Sequence, residues 1–355
     1  MVGTKGIVGI VAIFTAVLII GLVIAFYAVK TGSIPILYSS LSNPRFIYFS
    51  YFVDATLALI ILLLFLRRHR HHSNTLLFEL LEGIVVSFTS FFALLLIAAI
   101  LAPAHVSDGW AYIAAGVAAI GIVVVKDLHP RLKDFATVTS SLGVGVLLGF
   151  DFQFRYALIL FAAVAVYDYI GVFRSREMMT LAKAFSESNV AFLLSVSDLE
   201  AVPTGKYSKK EVEEYMAYLL RTHGLDSPRF KKILREGRLP VISRISLGEG
   251  DIGLPLMLVI SAYYTFTGVQ LISLMALLGG VMGMIATMLI LRRYKHPLPA
   301  IPPLFAFMSI FTGMAFLAAG TLPAATTVLI IAAGAAVMLI DMLTILVRMH
   351  PRPKA

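Results

Sequence analysis

Five carboxylates stand inside long apolar runs or at their mouths: Asp54, Glu82, Asp168, Asp251 and Asp341. A charged, unpaired acid at depth in hydrocarbon costs on the order of 3 kcal/mol on insertion scales, so each needs a partner or a function. Asp168 lies about six residues before the charged segment opening at Arg174, roughly 9 Å inside the apolar run at helical rise. Asp251 lies at the other edge of that segment, in or just before the first turn of the next apolar run. The two therefore share one side of a membrane at similar shallow depth. Carboxylates at close quarters resist joint ionisation and share a proton. In that state the ionised acid can take a proton from water attacking a carbonyl, while the protonated acid polarises that carbonyl. Such a pair could hydrolyse a peptide bond. The same spacing also suits a proton-coupled transporter or channel, or hydrogen bonds that only join helices, and it leaves all three open. The remaining acids read as structural. Asp54 has Tyr48, Ser50 and Tyr51 nearby, Glu82 sits near a helix end, and Asp341 has Thr344 close by in the last run. His69, His71 and His72 cluster beside Arg67 and Arg70 without obvious further ligands, and the chain has no cysteine. No metal or cofactor is expected.

The elements that must position these acids are membrane helices. The chain has 355 residues, 59% hydrophobic and only 14% charged, against roughly a quarter charged in soluble domains. Apolar runs long enough to span occur near 7–29, 46–66, 76–101, 109–125, 135–150, 154–173, 250–267, 269–291, 301–319 and 323–347. The first is too long for a signal-peptide core and reads as a retained helix. With the N-terminus inside, 26 of the 29 Lys and Arg fall in cytoplasmic segments, as the positive-inside rule requires. The expected fold is all-α and polytopic, with about ten transmembrane helices and both termini cytoplasmic. Three parts follow: a six-helix part, 1–173, carrying Asp168; a cytoplasmic loop, 174–249; and a C-terminal membrane part, 250–355, carrying Asp251. The net charge of +9 is accounted for by these loops and by anionic lipid, so no nucleic-acid partner is expected.

Within the loop, Ser208 followed by Glu211 is a capping-box pattern, and Val212, Tyr215, Met216 and Leu219 form a helical stripe. Lys231 to Arg238 reads as a second, more basic helical stretch. Val241 to Ser246 alternates in part and reads as a short strand. The loop ends in Gly248-Glu249-Gly250-Asp251, where glycine on both sides of Glu249 lets backbone bend and be approached closely. Further on, His296-Pro-Leu-Pro-Ala-Ile-Pro-Pro-Leu304 precedes the ninth run. Proline suits a first helical turn, so this is either punctuation or unwound backbone that holds a substrate in extended form by strand addition. Gly145-x-x-x-Gly149 and Gly279-x-x-x-Gly283 permit close helix packing, within or between chains, and leave the oligomeric state open.

Three motifs now stand in order: Tyr167-Asp168 in the sixth run, Gly248-Glu249-Gly250-Asp251 opening the seventh, and Pro299-Ala300-Ile301 opening the ninth. Together they resemble the presenilin and signal peptide peptidase family of GxGD intramembrane aspartyl proteases, most like a prokaryotic, archaeal-type homologue. The resemblance implies an endopeptidase acting within transmembrane helices of single-span substrates, in a prokaryotic cell membrane. It implies Asp168 and Asp251 as the catalytic pair, with Tyr167, Gly248, Gly250, Pro299, Ala300 and Ile301 at the substrate. It also implies substrates with their N-terminus outside. Ile301 stands where the family usually has leucine, Glu249 adds a carboxylate, and 323–347 is a tenth span that nine-helix presenilins lack.

Overall fold

The computed structural model describes residues 4–31, 75–101, 110–129, 132–175, 193–203, 238–294 and 298–349, with isolated positions between 233 and 236. The described elements are α1 (Thr4–Thr31), α2 (Thr75–Leu101), α3 (Trp110–Leu128), α4 (Lys133–Asp151), α5 (Phe154–Ile170), β1 (Leu193–Pro203), β2 (Arg238–Gly248), α6 (Glu249–Thr265), α7 (Gln270–Tyr294), α8 (Ile301–Ala319) and α9 (Ala324–Met349). The second expected span, 46–66, with Asp54, the histidine cluster and the expected helix from Ser208, lies outside the described residues. Of the basic stretch from Lys231, only isolated positions are described. The other nine expected spans each meet a described helix.

Five described helices are long and apolar enough to cross a membrane: those over 4–31, 154–174, 270–293, 301–319 and 324–347. The chain is a mostly helical, multi-pass membrane protein. The span near 135–150 is the polar exception. Helix α4 carries Thr137, Thr139, Ser140 and Ser141, and of these Thr137, Ser140 and Ser141 are buried. A polar stripe buried in protein is compatible with hydrocarbon outside.

Helix α6 is the hub. Ile252, Leu256, Met257, Leu258, Val259 and Ile260 are all fully buried, the all-round burial expected of a helix apolar on every face. It packs against α1, α4, α5 and α7. Apolar burial does not drive association in lipid, where the tails are as apolar as leucine, so close packing must. A Cβ on Gly145 would lie 2.5 Å from Leu256, and one on Gly149 would lie 2.6 Å from Ile260. The glycine pair of α7 works in the same way. A Cβ on Gly279 or Gly283 would lie 2.8 or 2.9 Å from the backbone of α8. Both motifs thus serve packing within the chain.

The all-α expectation needs one amendment. Strands β1 and β2 pair antiparallel along their full lengths, from Leu193 opposite Gly248 to Pro203 opposite Arg238. The short strand expected at 241–246 is there, but longer, and its partner is the chain's own 193–203. The Ser195 amide also donates to Asp134 Oδ1 at 3.0 Å, which ties the sheet to the start of α4.

Candidate active site

Asp168 stands in the last turn of α5, after which the chain widens into a five-residue π-helical turn, Gly171–Ser175. Asp251 is the third residue of α6. Its Oδ2 accepts the Gly248 amide at 3.0 Å, the reach-back bond of a capping box. This bond fixes the side chain over the strand-to-helix junction. A Cβ on Gly248 would lie 3.1 Å from that same oxygen, whereas a Cβ on Gly250 meets nothing within 4 Å. The backbone is therefore tight on one side of Asp251 and open on the other.

The proline cluster supplies the link to Asp168. Helix α8 begins at Ile301 with Ala300 as its N-cap, and Pro302 and Pro303 follow. A helix start normally leaves four amides without intrahelical acceptors. Two of those positions here are prolines, which have no N–H. Of the two amides left, Ile301 donates to Asp168 Oδ2 at 3.2 Å, and Ala300 bears on the same carboxyl. The prolines thus start the helix while removing donors that would compete. Pro299 and Ile301 are buried and Ala300 is half-buried. The carboxyl groups of Asp168 and Asp251 lie near enough for their charges to interact directly. Tyr167 sits on the more exposed side of α5.

Glu249 faces another way. Two residues apart on a helix is about 200° of rotation, so Glu249 and Asp251 emerge on nearly opposite sides of α6. Glu249 is buried against α4, where its carboxylate accepts the Ser140 hydroxyl. Ser140 in turn shares a hydrogen bond with Thr89 of α2 at 2.6 Å. Its carboxylate is thereby turned into protein, not toward the loop. Nearby, Glu82 pairs with Lys126 at 2.7 Å with both side chains about 1% exposed, which agrees with the structural reading of that acid. Sequence reasoning does not find Ser140 as the partner of Glu249, although the polar run in α4 is its signal.

Asp341 is the other acid brought into this region. It is buried in α9, on the side facing the end of α5, and its charge interacts with that of Asp168.

Residues 8–321 match the family described as signal-peptide peptidase, presenilin aspartyl protease. Two solved structures are similar to the chain, each described as a presenilin family intramembrane aspartate protease. The one in space group P2 is 19% identical, with 86% of this chain and 96% of that one covered and a TM-score of 0.49. The one in space group C222 is 18% identical, with 86% and 95% covered and a TM-score of 0.48. No curated protein matches the sequence. The family match favours proteolysis over transport: the chain belongs to the signal-peptide peptidase and presenilin family, and is an intramembrane aspartyl protease that hydrolyses peptide bonds of membrane-protein substrates.

Proposed function

We propose that Asp168 and Asp251 are the catalytic pair of this protease. The observation that carries the reading is their arrangement at two helix starts, those of α6 and α8. Asp251 is pinned by the Gly248 amide and Asp168 by the Ile301 amide, with their charges in mutual reach. One carboxyl is ionised and takes a proton from a water molecule. That water adds to the scissile carbonyl, whose oxygen receives a hydrogen bond from the protonated partner. The tetrahedral adduct then collapses. The C–N bond breaks, the proton taken from water passes to the leaving amine, and the products are a new carboxyl and a new amino terminus.

Substrate lies extended along the open side of Gly250 and the start of α8. Gly248, Pro299, Ala300 and Ile301 shape this channel, with Tyr167 at its outer edge. The substrates are single-span proteins with their N-terminus outside, cut in a prokaryotic cell membrane. The chain crosses that membrane about ten times, with both termini cytoplasmic. It is organised as 1–173, the loop 174–249 and 250–355.

The test is purified full-length protein with a tagged single-span substrate, the products being identified by mass. Asp168→Asn and Asp251→Asn should each lower kcat by about a thousandfold or more. Cleavage that survives in either variant would sink the pair.

A further inference from the structure

Asp341 belongs to α9, which begins at Ala324, beyond residue 321 where the family match ends. Most of α9 lies at the surface among the described residues: Leu329, Leu339, Ile340, Met342, Leu343 and Val347 are all more than half exposed. One stripe does not. Asp341 is only 5% exposed and Ile345 only 7%, and residues 341, 344 and 345 share a helical face. That face meets the end of α5. Thr344 and Tyr169 share a hydrogen bond at 2.5 Å, and Ile345 packs with Val172 and Phe173. Tyr169 is the residue after Asp168, so the contact is made within one turn of the proposed catalytic acid. Asp341 Oδ1 is buried and has no hydrogen-bond partner among the described residues.

A buried carboxyl oxygen without a partner is destabilising. Helix packing alone would be better served by an apolar side chain in that place. The described acids are not spaced as a metal-ligand set. What the group does have within electrostatic reach is the carboxyl of Asp168. We propose that Asp341 is a positioning residue for the reaction, a third carboxyl that acts through Asp168 from the side of α9. It constrains how the catalytic pair holds its shared proton, since three acids at close quarters resist joint ionisation more than two. This inference rests on the assignment of Asp168 and Asp251 above.

The experiment compares Asp341→Asn, Asp341→Leu and Asp341→Glu in the full-length chain. It measures kcat and KM on the single-span substrate and thermal stability in detergent, with Asp168→Asn and Asp251→Asn as controls. Asp341→Leu and Asp341→Asn should be at least as stable as the parent. Each should lose about tenfold or more in kcat with KM within about twofold. Asp341→Glu, which restores the acid, should recover part of that loss. Where the leucine variant fails to fold, the isosteric asparagine variant carries the test. Wild-type kcat in the asparagine variant, with both dyad variants inactive, overturns the role of Asp341 and leaves the pair standing. A kcat loss that follows lost stability and is not recovered by glutamate also overturns it, because that is a packing defect. Cleavage retained in a dyad variant overturns the pair, and this inference with it.

Discussion

The amide of Ile301 is the smallest part of the site with a separable job. Proline at a first helical position is well tolerated because its nitrogen needs no partner there. Ile301→Pro deletes the donor to Asp168, together with a buried side chain, and places proline after Ala300 in the αR region, which proline disfavours. A hydrogen bond to a charged group contributes about 1.5–3 kcal/mol, so kcat per folded molecule should fall on the order of tenfold to a hundredfold below that of Ile301→Ala, which loses the side chain and keeps the amide. Ser140 offers the opposite test, of stability. Ser140→Ala leaves the buried Glu249 carboxylate without its described hydroxyl donor and should cost about 1–3 kcal/mol. Thermal unfolding checks this. Lys126→Met removes the cation of a fully buried pair with Glu82 and should cost about 3–5 kcal/mol. Adding Glu82→Gln should recover much of that loss, and a double-mutant cycle on melting temperature reads the difference. That Asp168 and Asp251 lie within reach of each other's charge was legible in the sequence, because depth and side follow from where charged segments begin. The bond between Ser140 and Glu249 was not. Those residues are 109 positions apart, and only the close approach of α4 to α6 brings them together.

Among elements, the contact of α7 with α8 matters most for chemistry, since α8 carries the Ile301 amide. Gly283 lets α7 come within a Cβ's reach of Leu304, three residues into α8 from Ile301. Gly283→Ala forces the helices apart near that amide. Overpacking of this kind costs about 1–3 kcal/mol, and the loss of kcat should exceed what the loss of folded protein explains. Active-site titration with a transition-state-mimic inhibitor separates the two. Helices were legible from apolar length, and the end of α8 has a local cause as well: Gly320 takes φ +62°, the left-handed turn that closes many helices. Strand β1 was not legible. Leu193 to Pro203 mixes apolar and polar residues without strict alternation, and its only described strand partner lies far along the chain. Its strand state is set by pairing, not by local pattern.

At the scale of the molecule, the absence of cysteine makes the proposed orientation simple to check. Single cysteines placed near both termini and in the loop 174–249 should react with an impermeant thiol reagent only from the cytoplasmic side. Labelling of any of these from outside would invert the topology. Composition and loop charge carried the membrane assignment, because a bilayer imposes its length and charge rules on every segment alike. The central place of α6 was hidden from the same reading, since an apolar run looks alike facing lipid or facing protein. What separates them is the glycine surface that neighbouring helices present. One junction ties these scales together. Strand β2 ends at Gly248 and α6 begins at Glu249, with no intervening loop. The sheet is therefore a ruler whose last mark is Asp251. Lengthening β2 by one residue displaces the ruler by about 3.3 Å and turns every following side chain to the other face, whereas two residues restore the face but not the position.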